Sequence, residues 1–395
     1  ECPTSLLGIR EYAMSAGSTV IAVRADELHA AIQPLCSTGS NTTRGRRPGS
    51  RGLLAFPAEC NFSGNRTDLA MVATARGQGW AVLLDAAKFV ATAPLDLSRV
   101  PADFVAISFY KMFGFPTGLG ALIMRNDSIH LLRRTYFGGG TLLAASSFPA
   151  RPLPPASAPR LSPSSSSSPS SSSSHFFHRL AEHPSNRFED GTIDFLSIRA
   201  LPTGLKLLRS IKPARITQHT SRLARSLSHR LQDLRHVVST AAPHDDEDGG
   251  GDDNAPPVCR VYGRDEGSIV AFNVLRPNGE WVGYSQVAAA AQACRVTLRT
   301  GCFCNPGACQ EFLNITAEEA IRNFEAGHVC SDNVDLIDGK PTGAVRVSFG
   351  YMSTDFDVDA VVNFVASNFR VKSTSGQVRD GETVERKAVS SSSSS

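Results

Sequence analysis

Ser108-Phe109-Tyr110-Lys111-Met112-Phe113-Gly114-Phe115-Pro116-Thr117-Gly118 is the stretch whose reading decides the fold. An apolar run at 104–107 leads into it and another at 119–124 follows, so the lysine falls in a Gly/Pro-rich turn between two strands. Lysine is rarely placed beside a core for solubility. A desolvated lysine sheds its proton readily and suits Schiff-base chemistry with an aldehyde cofactor. The plain alternative is a surface-loop lysine.

Two further features favour the chemical reading. Residues 80–84 read as a buried strand that ends in Asp85. Parallel α/β sheets bind ligands at the carboxyl ends of their strands, and a pyridoxal phosphate site needs an acidic partner for the pyridinium nitrogen as well as the lysine. Alone, an Asp after a strand is a helix cap or turn residue. The second feature is Arg299-Thr300-Gly301-Cys302-Phe303-Cys304-Asn305-Pro306-Gly307-Ala308-Cys309, with three cysteines in one Gly/Pro loop. Such a loop can present a thiol to a cofactor. The competing reading is a zinc knuckle of Cys302, Cys304 and Cys309 completed by His328 or Cys330. The C-x-C-x4-C spacing, with no second C-x2-C pair, is weak for structural zinc, and no metal is expected.

Working outward, the 395 residues are 41% hydrophobic, enough for about two domains. The formal net charge of +3 gives no reason to invoke nucleic acid or a membrane surface. No run reaches the ~18 apolar residues of a membrane span. Nine cysteines, an odd number, cluster at that one loop and otherwise scatter, which favours reduced thiols and a cytoplasmic setting over a disulfide framework. Strands are expected at 19–23, 52–57, 80–85 and 104–107, alternating with helices in a mostly parallel sheet. Amphipathic helices are expected at 198–208 and 216–234, then strands at 268–274 and 344–349 with helices at 284–293 and 358–369. The division read from this is a large α/β domain at 1–148 and 175–240 and a smaller α+β domain at 258–371. Ser/Pro-rich residues 149–174, the acidic loop 241–257 and the tail 372–395 read as disordered.

The Lys111 stretch resembles the lysine motif of the molybdenum cofactor sulfurases, in their NifS-like cysteine desulfurase domain. So do 136–141 (Tyr-Phe-Gly-Gly-Gly-Thr), 187–192 (Arg-Phe-Glu-Asp-Gly-Thr), 299–304, 326–333, 335–339 and 343–353. The resemblance implies a fold-type I pyridoxal phosphate transferase, a homodimer, acting on L-cysteine and passing sulfur to molybdenum cofactor. It implies that Lys111 holds the cofactor, Asp85 its ring nitrogen and Ser108 its phosphate, while Thr192 reaches the phosphate in the neighbouring subunit. It further implies Cys304 as the thiol that takes the sulfur, Arg346 as the substrate-carboxylate anchor, where a bidentate guanidinium suits a planar anion, and Asn61 as a further substrate contact. The choice of Cys304 over Cys302 rests on that resemblance, and Cys302 and Cys309 are read as structural thiols. Relative to the family pattern the chain starts late, and Pro3 stands where a ring-stacking histidine is implied. A desulfurase serving iron–sulfur assembly and a non-catalytic fragment are the alternative readings.

Overall fold

The computed structural model describes residues 4–24, 26–32, 52–134, 136–149, 176–237, 255–329, 332 and 334–371. The Ser/Pro-rich tract, the acidic loop, the tail and Pro3 fall wholly or almost wholly outside them. The chain divides into two compact units, residues 1–61 with 65–220 and residues 62–64 with 221–395. The division passes through one long helix, after Thr220.

The first unit carries helices α1 (Thr4–Ser15) and α2 (Leu28–Ala31), then strand β1 (Gly52–Pro57), helix α3 (Ala70–Gly77) and strands β2 (Trp80–Asp85) and β3 (Phe104–Ser108). After the short helix α4 (Phe109–Phe113), strand β4 (Gly120–Met124) closes a sheet of order β1-β2-β3-β4. β1, β2 and β3 run parallel and β4 antiparallel. Val82, Leu84 and Val105 are buried in the sheet, and Met71, Val72 and Ala75 of α3 pack into the same core. This is the burial of short apolar runs on which parallel sheets depend. Asp103 locks the entry to β3. Its buried carboxylate accepts from the Val82 N–H at 2.8 Å, the Ser128 hydroxyl at 2.6 Å and Arg76 Nε at 3.2 Å.

The 19–23 run is not a strand: it is irregular, and Ile21 is 72% exposed. Apolar composition favours a strand only where a neighbour supplies hydrogen bonds and cover, and no strand pairs with this run among the described residues. β4 departs from a buried strand too, with Leu122 and Ile123 exposed. Among the described residues it is an edge strand with one neighbour. An antiparallel pair, β5 (Leu142–Pro149) and β6 (Phe176–Leu180), precedes helices α5 (Pro184–Phe188) and α6 (Phe195–Ile211). Asp194 caps α6 by accepting the Ser197 N–H at 3.0 Å.

Helix α7 (Pro213–Gln232) buries Ile216, Thr220, Leu223, Leu227 and Leu231, one stripe at spacings of three and four. In the second unit its Leu223, Leu227 and Leu231 join the core of strand β8. The strands here are β7 (Cys259–Tyr262), β8 (Ile269–Leu275) and β9 (Trp281–Val282), followed by helix α8 (Tyr284–Ala293) and β10 (Arg299–Gly301). Helices α9 (Pro306–Leu313) and α10 (Ala317–Glu325), the hairpin β11 (Leu336–Ile337) and β12 (Lys340–Pro341), strand β13 (Ala344–Ser348) and helix α11 (Asp355–Phe369) complete it. The sheet order is β10-β13-β8-β7, all antiparallel, with β9 beside β8. β8 is buried along almost its whole length because α7 and α11 contribute to the same core. Surface pairs Arg222–Asp355 and Arg230–Asp359 tie these two helices at 2.6 Å. Exposed pairs of this kind contribute ~0–1 kcal/mol each, so packing holds the unit.

Candidate active site

In the first unit the structure gathers Asp85, Ser108 and Lys111 at one end of the sheet. Asp85 is the last residue of β2 and pairs in register with Ala106 of β3; Ser108 ends β3, and Lys111 lies in α4 immediately beyond. Two parallel strands therefore end side by side with a carboxylate, a hydroxyl and an amine. The half-buried Asp85 carboxylate accepts from the Ala87 N–H at 3.1 Å and the Ser5 hydroxyl of α1 at 2.9 Å. Ser108 occupies the cap position of α4 without a side-chain cap hydrogen bond. Lys111 differs from the desolvated amine read in the sequence. It is exposed, because β4 beyond it is an open edge, and its Nζ lies 5.9 Å from the centre of the Tyr110 ring.

Asn61, also in this unit, is half-buried in a turn of the loop between β1 and α3. Thr192 is exposed and follows Gly191, whose φ of 86° is open to glycine at little cost. Thr192 makes no hydrogen bond to Asp85, Ser108 or Lys111, but the two motifs quoted above are tied together through Arg134, which the sequence reading missed. Arg134 donates to the Tyr136 and Arg187 carbonyls at 2.9 and 2.7 Å and pairs with Asp190. Its only advance signal was position, just before the Gly-rich motif.

In the second unit Cys304 and Arg346 share a centre in Phe303. The Arg346 guanidinium lies 4.7 Å over the Phe303 ring, and Cys304 is the next residue. Phe303 is buried and packs on Phe62, with ring centres 5.2 Å apart. That anchor leaves the Cys304 thiol exposed. Phe303 and Cys304 both sit in the left-handed region, at φ 55° and 57°. Non-glycine residues adopt it at a cost of order 1 kcal/mol each, and such geometry clusters at functional sites. The buried Asn305 holds the turn, its side chain accepting the Ala308 N–H at 3.0 Å to cap α9. Arg346 of β13 stands opposite Arg299 of β10. Gly343 permits this close approach, since a Cβ there would meet Gly301 Cα at 2.6 Å.

Cys302 and Cys309 are not free thiols: they form a disulfide, with Cα atoms 5.3 Å apart. The turn at 302–305 brings α9 back toward β10, within bridging range. The bond removes two of the four zinc ligands considered above. His328 Nδ1 lies 2.7 Å from the Asp332 carboxylate, and no cluster of three or more metal-binding side chains occurs among the described residues.

A family profile for aminotransferase class-V matches residues 49–151. The chain is similar to the molybdenum cofactor sulfurase of Arabidopsis thaliana, at 41% identity over 92% of this chain and 44% of that protein. It is likewise similar to the sulfurase of Homo sapiens, at 40% identity over 92% of this chain and 38% of that protein. The chain thus spans less than half the length of these relatives. Its fold is that of solved cysteine desulfurases. One from Thermococcus onnurineus superposes with a TM-score of 0.60 at 17% identity, over 93% of this chain and 70% of the other. One from Escherichia coli gives 0.54 at 21% identity, over 87% and 61%.

Proposed function

From the premise that the chain belongs to the molybdenum cofactor sulfurase family, we propose that it provides the L-cysteine desulfurase step, giving alanine and a persulfide on Cys304. The observation that carries this reading is the convergence of Asp85, Ser108 and Lys111 at the ends of two parallel strands. That donor set fits pyridoxal phosphate: an amine for its aldehyde, a carboxylate for its ring nitrogen and a hydroxyl for its phosphate. When bound, this cofactor supplies an electron sink for the substrate's α-carbon.

The chain's own residues have definite tasks in this proposal. Asp85 accepts the ring N–H, and Ser5 and Ala87 hold its carboxylate in place. Lys111 holds the cofactor and then carries protons at Nζ. Arg346 grips the substrate carboxylate, and Asn61 adds a hydrogen bond to substrate. Cys304 Sγ, as thiolate, attacks the sulfur of L-cysteine. The substrate C–S bond breaks, an S–S bond forms, and the carbon takes up a proton to become alanine. The persulfide sulfur then passes to molybdenum cofactor, the group in the relatives' name. A homodimer, with Thr192 serving the neighbouring subunit's phosphate, belongs to the same reading. A cytoplasmic setting belongs to the same reading; among the described residues Cys60, Cys259, Cys294 and Cys304 are free cysteines and Cys302 is bonded to Cys309. No described helix is long and apolar enough to cross a membrane.

The test incubates the purified chain with pyridoxal phosphate and L-cysteine and measures alanine and protein-bound persulfide. Wild type should yield both. Cys304→Ala should bind cofactor and carry no persulfide, whereas Lys111→Ala should lose the visible band of bound cofactor. A persulfide retained in Cys304→Ala, or no alanine from wild type, overturns the proposal.

A further inference from the structure

The bond between Cys302 and Cys309 is a feature of the second unit to which the proposed reaction gives no task. Four other described cysteines, Cys60, Cys259, Cys294 and Cys304, stay unbridged. In the cytoplasmic setting proposed above, a bond of this kind is transient or redox-sensing rather than structural. The turn does not depend on it for its shape. The Cys309 N–H donates to the Asn305 carbonyl at 3.0 Å, the Asn305 N–H to the Cys302 carbonyl at 2.9 Å, and the Asn305 side chain accepts the Ala308 N–H at 3.0 Å. Phe303 is anchored on Phe62 at 5.2 Å between ring centres. These contacts keep Cys302 and Cys309 neighbours whether or not their sulfurs are joined.

One acceptor faces both sulfurs. Thr342 is buried, its N–H donating to the Asp335 carbonyl at 2.9 Å and its hydroxyl to the Val334 carbonyl at 2.7 Å, so its own carbonyl is fixed in place. That oxygen lies 3.3 Å from Cys302 Sγ and 3.7 Å from Cys309 Sγ. Among the described residues no backbone N–H donates to it. A buried carbonyl calls for a donor, and a thiol supplies a proton where a disulfide sulfur has none. Reduction returns a proton to each sulfur beside this acceptor, so the fold accommodates the dithiol as well as the disulfide. Access is one-sided: Cys309 is 1% exposed, whereas Cys302 is half-buried. We propose that Cys302 and Cys309 form a reversible thiol–disulfide exchange site, attacked at Cys302, whose co-reactant is a small thiol or its disulfide. In reduction a thiolate RS⁻ bonds to Cys302 Sγ, the Cys302–Cys309 bond breaks, and Cys309 leaves with the electron pair and takes up a proton. A second RS⁻ attacks the reagent sulfur of the mixed disulfide, giving RSSR and the Cys302 thiol. The two protein sulfurs gain the two electrons that the two reagent thiols lose, and oxidation runs the same steps backward. The crosslink spans the turn that presents Cys304, so its loss lets that turn open more often without changing its closed shape. The exchange needs neither cofactor nor L-cysteine, so it stands or falls apart from the proposed reaction.

The test equilibrates the native chain with mixtures of reduced and oxidised glutathione, quenches with acid, blocks thiols with N-ethylmaleimide in denaturant and maps the peptides by mass spectrometry. Cys302 and Cys309 should pass together from bridged to blocked as reduced glutathione is raised, and return as it is lowered, with the near-ultraviolet circular dichroism of the fold retained. A bond that survives excess reduced glutathione until the chain is denatured, or one that never forms in oxidised glutathione, overturns the proposal. The same titration in Cys304→Ser removes the neighbouring thiol and should be unchanged. Exchange that disappears there runs through Cys304 and overturns the proposal. The point of attack is read from single variants: Cys309→Ser should take up glutathione on Cys302, and Cys302→Ser should leave Cys309 largely unmodified. The reverse pattern, or equal uptake, overturns it. If either variant does not fold, brief treatment of wild type with reduced glutathione supplies the reading, with the mixed disulfide on Cys302 expected and on Cys309 contrary. Hydrogen exchange of the amides at 302–309 should quicken by about tenfold or more on reduction. Equal exchange in both states overturns the assignment of the bond as a restraint on the Cys304 turn. A chain that meets these expectations and makes no persulfide defeats the proposed function alone.

Discussion

The loops that carry Lys111 and Cys304 both leave the side chain proposed to react exposed, yet they are built by opposite means. The Cys304 loop is braced on every side. Phe303 is sunk among aromatic rings, Asn305 is buried and caps a helix, a disulfide closes the turn, and two successive residues are held left-handed. The Lys111 segment is a five-residue helix between a half-buried strand end and an open edge strand, with no buried residue of its own. A thiol that must meet one atom of a substrate benefits from a fixed backbone. A lysine has four rotatable carbons, and its reach comes from the side chain instead. The difference teaches that exposure says little about order: bracing of the neighbours decides it.

The comparison can be broken most forcefully at Phe303. Phe303→Ala should cost the second unit about 3–5 kcal/mol, the range for a buried aromatic truncated to alanine, read by denaturant unfolding. A loss near zero would mean that the Cys304 loop is not held as described. Next is acid. The buried His236 donates from Nε2 to the Leu275 carbonyl at 3.0 Å and accepts the Val371 N–H at Nδ1, 3.3 Å away, so the fold takes the neutral ring. Burial lowers its pKa from the ordinary value of 6.5. The unfolded chain therefore binds the extra proton first, and stability present above the unfolded value is lost as pH falls toward the folded one. Melting temperature followed from neutral to mildly acidic pH should fall, and His236→Gln should flatten that part of the profile. The smallest effect should be Lys111→Ala, whose unfolding free energy should stay within ~0.5 kcal/mol of wild type. A larger loss would show the lysine to be braced like the cysteine, and would erase the contrast.

What the sequence revealed followed from local physics. β1, β2 and β3 were legible because short apolar runs punctuated by Gly, Pro and Asp have few ways to be buried. The α7 stripe was legible because its spacing admits one buried face. The run at 19–23 has the same composition and fails, since pairing is a property of the neighbour. The residues of the proposed site divided in the same way. Asp85 and Lys111 announced themselves by standing at strand ends, and Arg346 by resemblance. Outside that site, Glu59 is buried against Lys88 and Arg66 and gave no local sign, because a glutamate in a loop reads as solvated until those cations arrive from elsewhere in the chain. The Cys302–Cys309 bond was hidden by a composition that pointed to reduced thiols and by a turn whose closure the spacing alone does not show.

The register that sets Arg299 opposite Arg346 has a consequence for how the second unit meets its surroundings. Like charges directly across an antiparallel pair repel, and the Phe303 ring beneath Arg346 relieves only part of that cost. The register thus places two guanidinium-bearing residues on one edge of the sheet. A carboxylate that settles there both finds its site faster in dilute salt and shifts the folding equilibrium toward the native unit by mass action. Under the proposed reading, in which Arg346 grips the substrate carboxylate, capture and stability are linked through this edge, and added salt is expected to weaken both together.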